Sequence, residues 1–86
     1  MSGNLLEFPA DVPIKVMGRH DSDLRALTQA IIERHAGPQA DSSVRTRTSA
    51  DGNFVALTYL VHAGSRDQLD TIYRELTACK AVLMAL

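Results

Sequence analysis

Two strand-like segments joined by a tight turn constrain the fold of this chain more than any other feature. Residues 43–49 alternate β-branched with polar side chains, and residues 54–63 are the most strand-like stretch of the sequence. Between them, Ala50-Asp51-Gly52-Asn53 is typical of the turn in a β-hairpin. A hairpin at the centre of the chain predicts an antiparallel sheet.

The segments on either side of the hairpin each pair a helix with a strand. Residues 12–18 and 81–86 predict the two outer strands, and residues 21–36 and 65–78 predict helices. Asp21 and Ser22 are expected to cap the first helix, and Ser65 the second. Apolar residues at helical spacing predict which side of each helix is buried: Leu24, Leu27, Ile31 and Ile32 in the first, and Leu69, Ile72, Tyr73 and Leu76 in the second.

The order of these elements is strand, helix, strand, strand, helix, strand. This order predicts an α+β fold, the ferredoxin-like βαββαβ two-layer sandwich, with both helices on one face of a four-stranded antiparallel sheet. Right-handed crossovers would place the strands in the spatial order 4-1-3-2. Residues 1–86 are expected to form one domain, in which residues 1–11 are an extended N-terminal arm.

Composition narrows the cellular setting and the class of partner. Apolar residues make up 45% of the 86 residues, and the net charge of −1 argues against a dedicated nucleic-acid binder. Cys79 is a single cysteine, so no internal disulfide can form, which is typical of a reducing compartment. The chain has no signal-peptide pattern and no apolar run that could span a bilayer. We therefore expect a cytoplasmic protein without membrane contact.

Strand alternation predicts what each face of the sheet carries. The core side is expected to comprise Ile14, Val16, Val44, Val55, Leu57, Tyr59, Val61, Val82, Met84 and Leu86. The other face should then be open, with Met17, Leu60 and Leu83 near its centre and Arg45 and Arg47 on one edge strand. An apolar patch with a basic border is typical of a protein-binding surface. Arginines on an edge strand also protect against aggregation, so both interpretations stay open.

The loop between the first strand and the first helix is the second candidate site. Gly18, Arg19 and His20 combine a flexible residue, a cation and a titratable group at a helix N-terminus, where a small anionic ligand can bind. An ordinary capped connection explains the same residues. His20, His35 and His62 do not share metal-ligand spacing with Cys79, so we expect no metal site and no cofactor.

Several short motifs, in the same order along the chain, resemble the YbeD-like family of small bacterial proteins of unknown function. They are Leu5-Leu6-Glu7-Phe8-Pro9, Lys15-Val16-Met17-Gly18, Arg34-His35-Ala36, Gly52-Asn53-Phe54 and Leu69-x-x-Ile72-Tyr73-x-x-Leu76. The resemblance implies a ferredoxin-like fold similar to the ACT-type regulatory domains, which bind amino acids and dimerise. It also implies a ligand near Gly18, Arg19 and His20, where ACT domains hold theirs. It brings no catalytic residues.

These observations favour a non-enzymatic, ACT-like regulatory or interaction domain that self-associates or binds a protein. A small acylphosphatase-type enzyme is one alternative, supported by Arg19 alone. Weak RNA binding through Lys15, Arg45 and Arg47 is another, although the open face lacks the aromatic residues that RNA-binding sheets use. Turnover of an acyl phosphate and salt-dependent retention on RNA would distinguish them.

Overall fold

A computed structural model describes residues 7–86 of the chain, so the first six residues of the predicted arm lie outside the described residues. The elements follow the predicted order: β1 (Ala10–Arg19), α1 (Leu24–Ala36), β2 (Val44–Thr48), β3 (Phe54–Ala63), α2 (Arg66–Ala78) and β4 (Met84–Ala85). A short 3-10 helix, Asp41–Ser43, precedes β2.

The four strands form one antiparallel sheet in the order β2-β3-β1-β4. Read from the other edge, this is the predicted order 4-1-3-2. The helices pack against each other; α1 also packs against β1 and β3, and α2 against β3 and β4. The α+β ferredoxin-like sandwich is therefore confirmed, because the two crossover connections place both helices on the same face of the sheet.

β1 begins at Ala10, earlier than the predicted start at residue 12. Ala10 and Asp11, assigned from the sequence to the arm, pair with Ala63 and His62. Both strands of this central pair are ten residues long, so β3 offers a partner to each residue of β1.

Pro13 lies inside β1 without disrupting the sheet. Lys15 exchanges two backbone hydrogen bonds with Leu86, with N–O distances of 3.1 and 2.8 Å. Backbone groups alternate in direction along a strand, so those of Pro13 also point away from β3. β4 pairs with β1 only at Val16 and Met17, and no described strand lies beside Pro13 on that side. Its missing N–H therefore removes no bond from the ladder.

The core lies between the sheet and the two helices. Its buried apolar side chains are Val12, Ile14, Val16, Leu57, Tyr59, Val61 and Ala63 from the strands, and Leu24, Ile31, Ile32, Leu69, Ile72 and Leu76 from the helices. The predicted core residues Val44, Val55 and Val82 are half-buried and pack against this cluster. Within residues 7–86, neither helix is long and apolar enough to cross a membrane.

The prediction for the buried side of α1 was wrong at Leu27, which is 44% exposed. Thr28 faces the core in its place. Its hydroxyl donates to the Leu24 carbonyl oxygen at 2.7 Å and lies 2.8 Å from the Tyr59 hydroxyl. These bonds satisfy both buried polar groups. Burial raises the pKa of Tyr59 above its ordinary value. The polar residue Thr28 thus occupies a core position because Tyr59 of the sheet supplies its hydrogen-bond partner.

The predicted orientation of the last strand was also wrong. Met84 and Leu86, expected in the core, are 50% and 63% exposed. Val16 is buried and pairs with Ala85, and directly paired residues point to the same side of a sheet. Ala85 therefore faces the helices, and Met84 and Leu86 face away from them. Alternation alone could not reveal this, because residues 81–86 are apolar at every position.

Candidate interaction site on the open sheet face

The face of the sheet turned away from the helices is open along its whole length. On β3 its exposed or half-exposed residues are Phe54, Ala56, Thr58, Leu60 and His62, alternating with the core residues Leu57, Tyr59 and Val61. β1 contributes Lys15 and Met17 in the same way. No described element covers this face.

The strand pairing arranges the open face in transverse rows. Thr58 pairs with Arg45 of β2 and with Lys15 of β1, and Lys15 in turn lies opposite Leu86. In the neighbouring row, Ala56 pairs with Arg47 on one side and with Met17 on the other, and Met17 pairs with Met84. The β2 side of the face is therefore cationic, and the β4 side is apolar.

The structure separates the three apolar residues that the sequence analysis placed together at the centre. Met17 lies beside Met84, whereas Leu60 pairs with Pro13, so that Lys15 interrupts β1 between them. Leu83 comes just before β4; it is 59% exposed, and its N–H donates to the Met17 carbonyl oxygen at 2.8 Å. Arg45 and Arg47 do lie on the edge strand, as predicted.

Met84 and Leu86 are the residues of this face that sequence reasoning missed. The signal that identifies them is the pairing of small Ala85 with Val16, which depends on the register. The Tyr73 hydroxyl donates to the Leu86 carbonyl oxygen at 2.8 Å and so ties the end of the chain to α2.

Three shallow depressions lie on the open face. They are lined by residues of β1, β2 and β3, of the β2–β3 turn and, at Ser43, of the 3-10 helix, and together they extend from Leu60 to Phe54. Three exposed cations, Lys15, Arg45 and Arg47, line one of these depressions together with Ala56 and Thr58.

Gly18, the first residue of the predicted ligand loop, is buried against the rest of the fold. A Cβ atom at this position would lie 2.5 Å from the Ala81 carbonyl oxygen and 2.9 Å from a methyl carbon of Leu24. The close approach of β1 to these two residues thus accounts for the glycine without a ligand.

Arg19 and His20 lie at the end of the open face. The Arg19 guanidinium is 5.9 Å from the centre of the Phe54 ring, and the His20 N–H donates to the Asn53 carbonyl oxygen at 2.8 Å. The prediction that Asp21 and Ser22 cap α1 was wrong: Asp23 occupies the N-cap position, and the Ser22 hydroxyl donates instead to the Arg19 carbonyl oxygen at 2.7 Å. The helix begins at Leu24.

The remaining histidines pair with carboxylates on the surface or between helices. His35 lies 2.7 Å from Glu75, which also accepts from Arg34 at 2.6 Å, and His62 lies 2.9 Å from Asp11. Among residues 7–86, no three side chains of the metal-ligating types come together.

Comparison with known proteins agrees with the resemblance of the motifs. Residues 3–86 match the family described as "Protein of unknown function (DUF493)". The chain is 40% identical over 83 residues to a UPF0250 protein of Paraburkholderia phytofirmans, which covers 96% of this chain and 93% of that protein. It is 45% identical over 83 residues to a UPF0250 protein of Chromobacterium violaceum, covering 95% and 92% of the two chains.

A search of solved structures finds none that matches this chain. The family match and the bacterial relatives, in contrast, extend over nearly the whole sequence. The chain therefore belongs to the DUF493 or UPF0250 family of small bacterial proteins of unknown function, as its resemblance to the YbeD-like family predicted.

Proposed function

We propose that this protein is a non-enzymatic interaction domain, of the ACT-like regulatory kind, that binds a protein partner through its open sheet face. The observation that carries this proposal is where the exposed apolar side chains lie. Six large apolar residues among residues 7–86 are exposed: Leu27, Phe54, Leu60, Leu83, Met84 and Leu86. Four of the six, Phe54, Leu60, Met84 and Leu86, lie on the open face, whereas Leu83 precedes β4 and Leu27 is on a helix.

Concentration of apolar surface on one face is a feature of binding surfaces, whereas scattered exposed residues are normal. Met17 and Met84 form an adjacent apolar pair, and methionine side chains adapt to differently shaped partners. Burying such side chains against a partner would contribute about 25 cal/mol per Å² of apolar area removed from water. This apolar side supplies the attraction in the proposed complex.

The β2 side of the face specifies the kind of partner. Arg45 and Arg47 are exposed and have no acidic partner within residues 7–86. Cations at the border of an interface favour an acidic opposing surface and accelerate association with it. The partner, whether a second copy or another protein, should present carboxylates opposite β2 and apolar side chains opposite β4.

Charging an apolar residue of the face tests the proposal. Leu60→Asp should abolish association while the monomer stays folded, because Leu60 is 51% exposed and contributes nothing to the core. Self-association is measured by light scattering over a range of protein concentrations. If the wild-type chain remains a monomer, the same two proteins are compared in affinity capture of bacterial partners.

Leu27→Asp is the matched control, because Leu27 is 44% exposed and lies on the opposite layer. It introduces the same charge and should leave association unchanged. The proposal is wrong if Leu60→Asp associates as strongly as the wild type, or if Leu27→Asp weakens association equally. Circular dichroism of each variant shows that the fold is retained.

A further inference from the structure

Lys15, Arg45 and Arg47 form a cationic cluster on the part of the open face that the proposed function assigns to an acidic partner surface. Lys15 and Arg45 flank Thr58 from the two neighbouring strands, and Arg47 flanks Ala56. Strands lie about 4.8 Å apart, and alternate residues of one strand about 7 Å apart. The Cα atoms of the two arginines are thus about 7 Å apart, and those of Lys15 and Arg45 about 10 Å apart. The long side chains of these residues can span such distances.

The space between these cations is open because the side chains at its bottom are short. Ala56 and Thr58 lie beneath a depression of about 350 Å³, whose other lining residues are Lys15, Arg45, Thr46 and Arg47. This volume is within the range of small-molecule sites, about 300–1,000 Å³. Bulky residues at the two floor positions would fill the depression.

The charge around the depression is unbalanced. No carboxylate lines it, and none of its three cations belongs to an ion pair within residues 7–86. Elsewhere within residues 7–86, Arg25 and Arg34 each have an acidic partner, at 3.0 and 2.6 Å, and Arg19 and Arg66 lie over the Phe54 and Phe8 rings. Arg74 and Lys80 have no ion pair there either, so it is the clustering of the three cations that distinguishes the depression. Three neighbouring cations repel one another, and an anion between them would remove that repulsion.

We propose that this depression binds a small organic anion with two or more carboxylate or phosphate groups. Each guanidinium can hold one such group through two parallel N–H donors, while the Lys15 ammonium adds a third charge. A second anionic group is required because the cations are spread over two rows of the sheet. The Thr58 hydroxyl can accept from or donate to the bound molecule.

Other anions fit the site less well. Single-stranded nucleic acid needs aromatic platforms, and the one aromatic ring of this face, Phe54, already lies under Arg19. Inorganic phosphate offers a single anionic group, so it can engage fewer of the three cations at once than a molecule with two such groups. The inference shares Arg45 and Arg47 with the proposed function, but its titration measures ligand binding to the single chain, so either proposal can fail without the other.

An NMR titration of the isotopically labelled wild-type chain tests the proposal, with citrate, pyrophosphate and inorganic phosphate as probes. Citrate and pyrophosphate should shift the backbone signals of Arg45, Arg47, Ala56 and Thr58, and bind about tenfold more tightly than inorganic phosphate. Binding should weaken with added salt, since the cations are exposed. Shifts centred on residues 18–20 instead would overturn the proposal and favour the loop site.

The double variant Arg45→Gln/Arg47→Gln should weaken citrate binding by about tenfold or more. Arg66→Gln/Arg74→Gln is the matched control, since both residues are exposed on α2 and their loss removes the same two charges without touching the sheet; it should change affinity less than about twofold. If the two variants weakened citrate binding equally, the binding would be non-specific charge attraction and the proposed site would be wrong. If only an acidic peptide or an RNA oligonucleotide binds the face, the small-molecule assignment is wrong. Neither result depends on whether Leu60→Asp alters association.

Discussion

Gly18 is buried where β1 passes closest to the turn that leads into β4. At the scale of single residues, this position shows how a packing requirement can resemble a binding motif. A glycine followed by a cation and a histidine suggests a ligand loop, yet the Ala81 carbonyl and the Leu24 side chain leave no room for a Cβ atom. A ligand at Arg19 and His20 remains a prediction that rests on those two side chains.

Gly18→Ala should destabilise the fold by about 1–3 kcal/mol, because the added methyl group must displace a backbone carbonyl or a core leucine. Urea denaturation measures the loss. Gly64→Ala is the control: its Cβ would meet only the flexible Gln68 side chain, at 3.2 Å, and a smaller loss is expected. Equal losses at the two positions would mean that the contact at Gly18 relaxes without cost.

At the scale of elements, the two helices begin differently. The Ser65 hydroxyl accepts a hydrogen bond from the Gln68 N–H at 3.1 Å, so α2 has the side-chain cap that its sequence predicted. Asp23 occupies the corresponding position of α1 and makes no side-chain cap bond. The start of α1 instead depends on the turn between Arg19 and Ser22 and on the packing of Leu24.

Ser65→Ala should therefore cost about 1 kcal/mol of unfolding free energy, the usual value for removing a capping side chain. Asp23→Ala should cost less than half as much, since no cap bond is lost. Both are measured by urea denaturation at high salt, which screens the attraction between Asp23 and the helix dipole. A larger loss at Asp23 than at Ser65 would contradict this account of the helix termini.

At the scale of the whole molecule, one core joins the sheet and both helices. The Thr28–Tyr59 hydrogen bond connects α1 to β3, and Glu75 connects α2 to Arg34 and His35 at the end of α1. Neither layer can keep its apolar side chains buried when the other unfolds. We therefore expect the chain to unfold as one unit.

Tyrosine fluorescence and far-ultraviolet circular dichroism should give coincident urea transitions. Tyr59 and Tyr73 are the only tyrosines, and the chain has no tryptophan, so Tyr73→Phe leaves a reporter in β3 and Tyr59→Phe one in α2. In each variant the fluorescence midpoint should match the dichroism midpoint of that same variant. Separate midpoints would show that the layers unfold independently and that the chain is not one cooperative domain.

Local patterns determined the elements of this fold. Alternation and the turn at residues 50–53 predicted the hairpin, and Ser65 predicted the start of α2, because each signal acts between residues close in sequence. The order of the elements then limited the topology to the ferredoxin-like arrangement, because crossovers are right-handed and connections are short. The location of Arg45 and Arg47 on an edge strand followed from the same reasoning.

Strand register and packing decided which side chains face the core and which lie together on the open face, because both depend on contacts between residues distant in sequence. The uniformly apolar segment 81–86 satisfies either orientation, and pairing of Ala85 with Val16 turns Met84 and Leu86 outward. Thr28 displaces Leu27 from the core because Tyr59 offers its hydroxyl. Lys15, Arg45 and Arg47 are separated in the chain, and only the alignment of β1 and β2 on either side of β3 brings all three cations around Ala56 and Thr58.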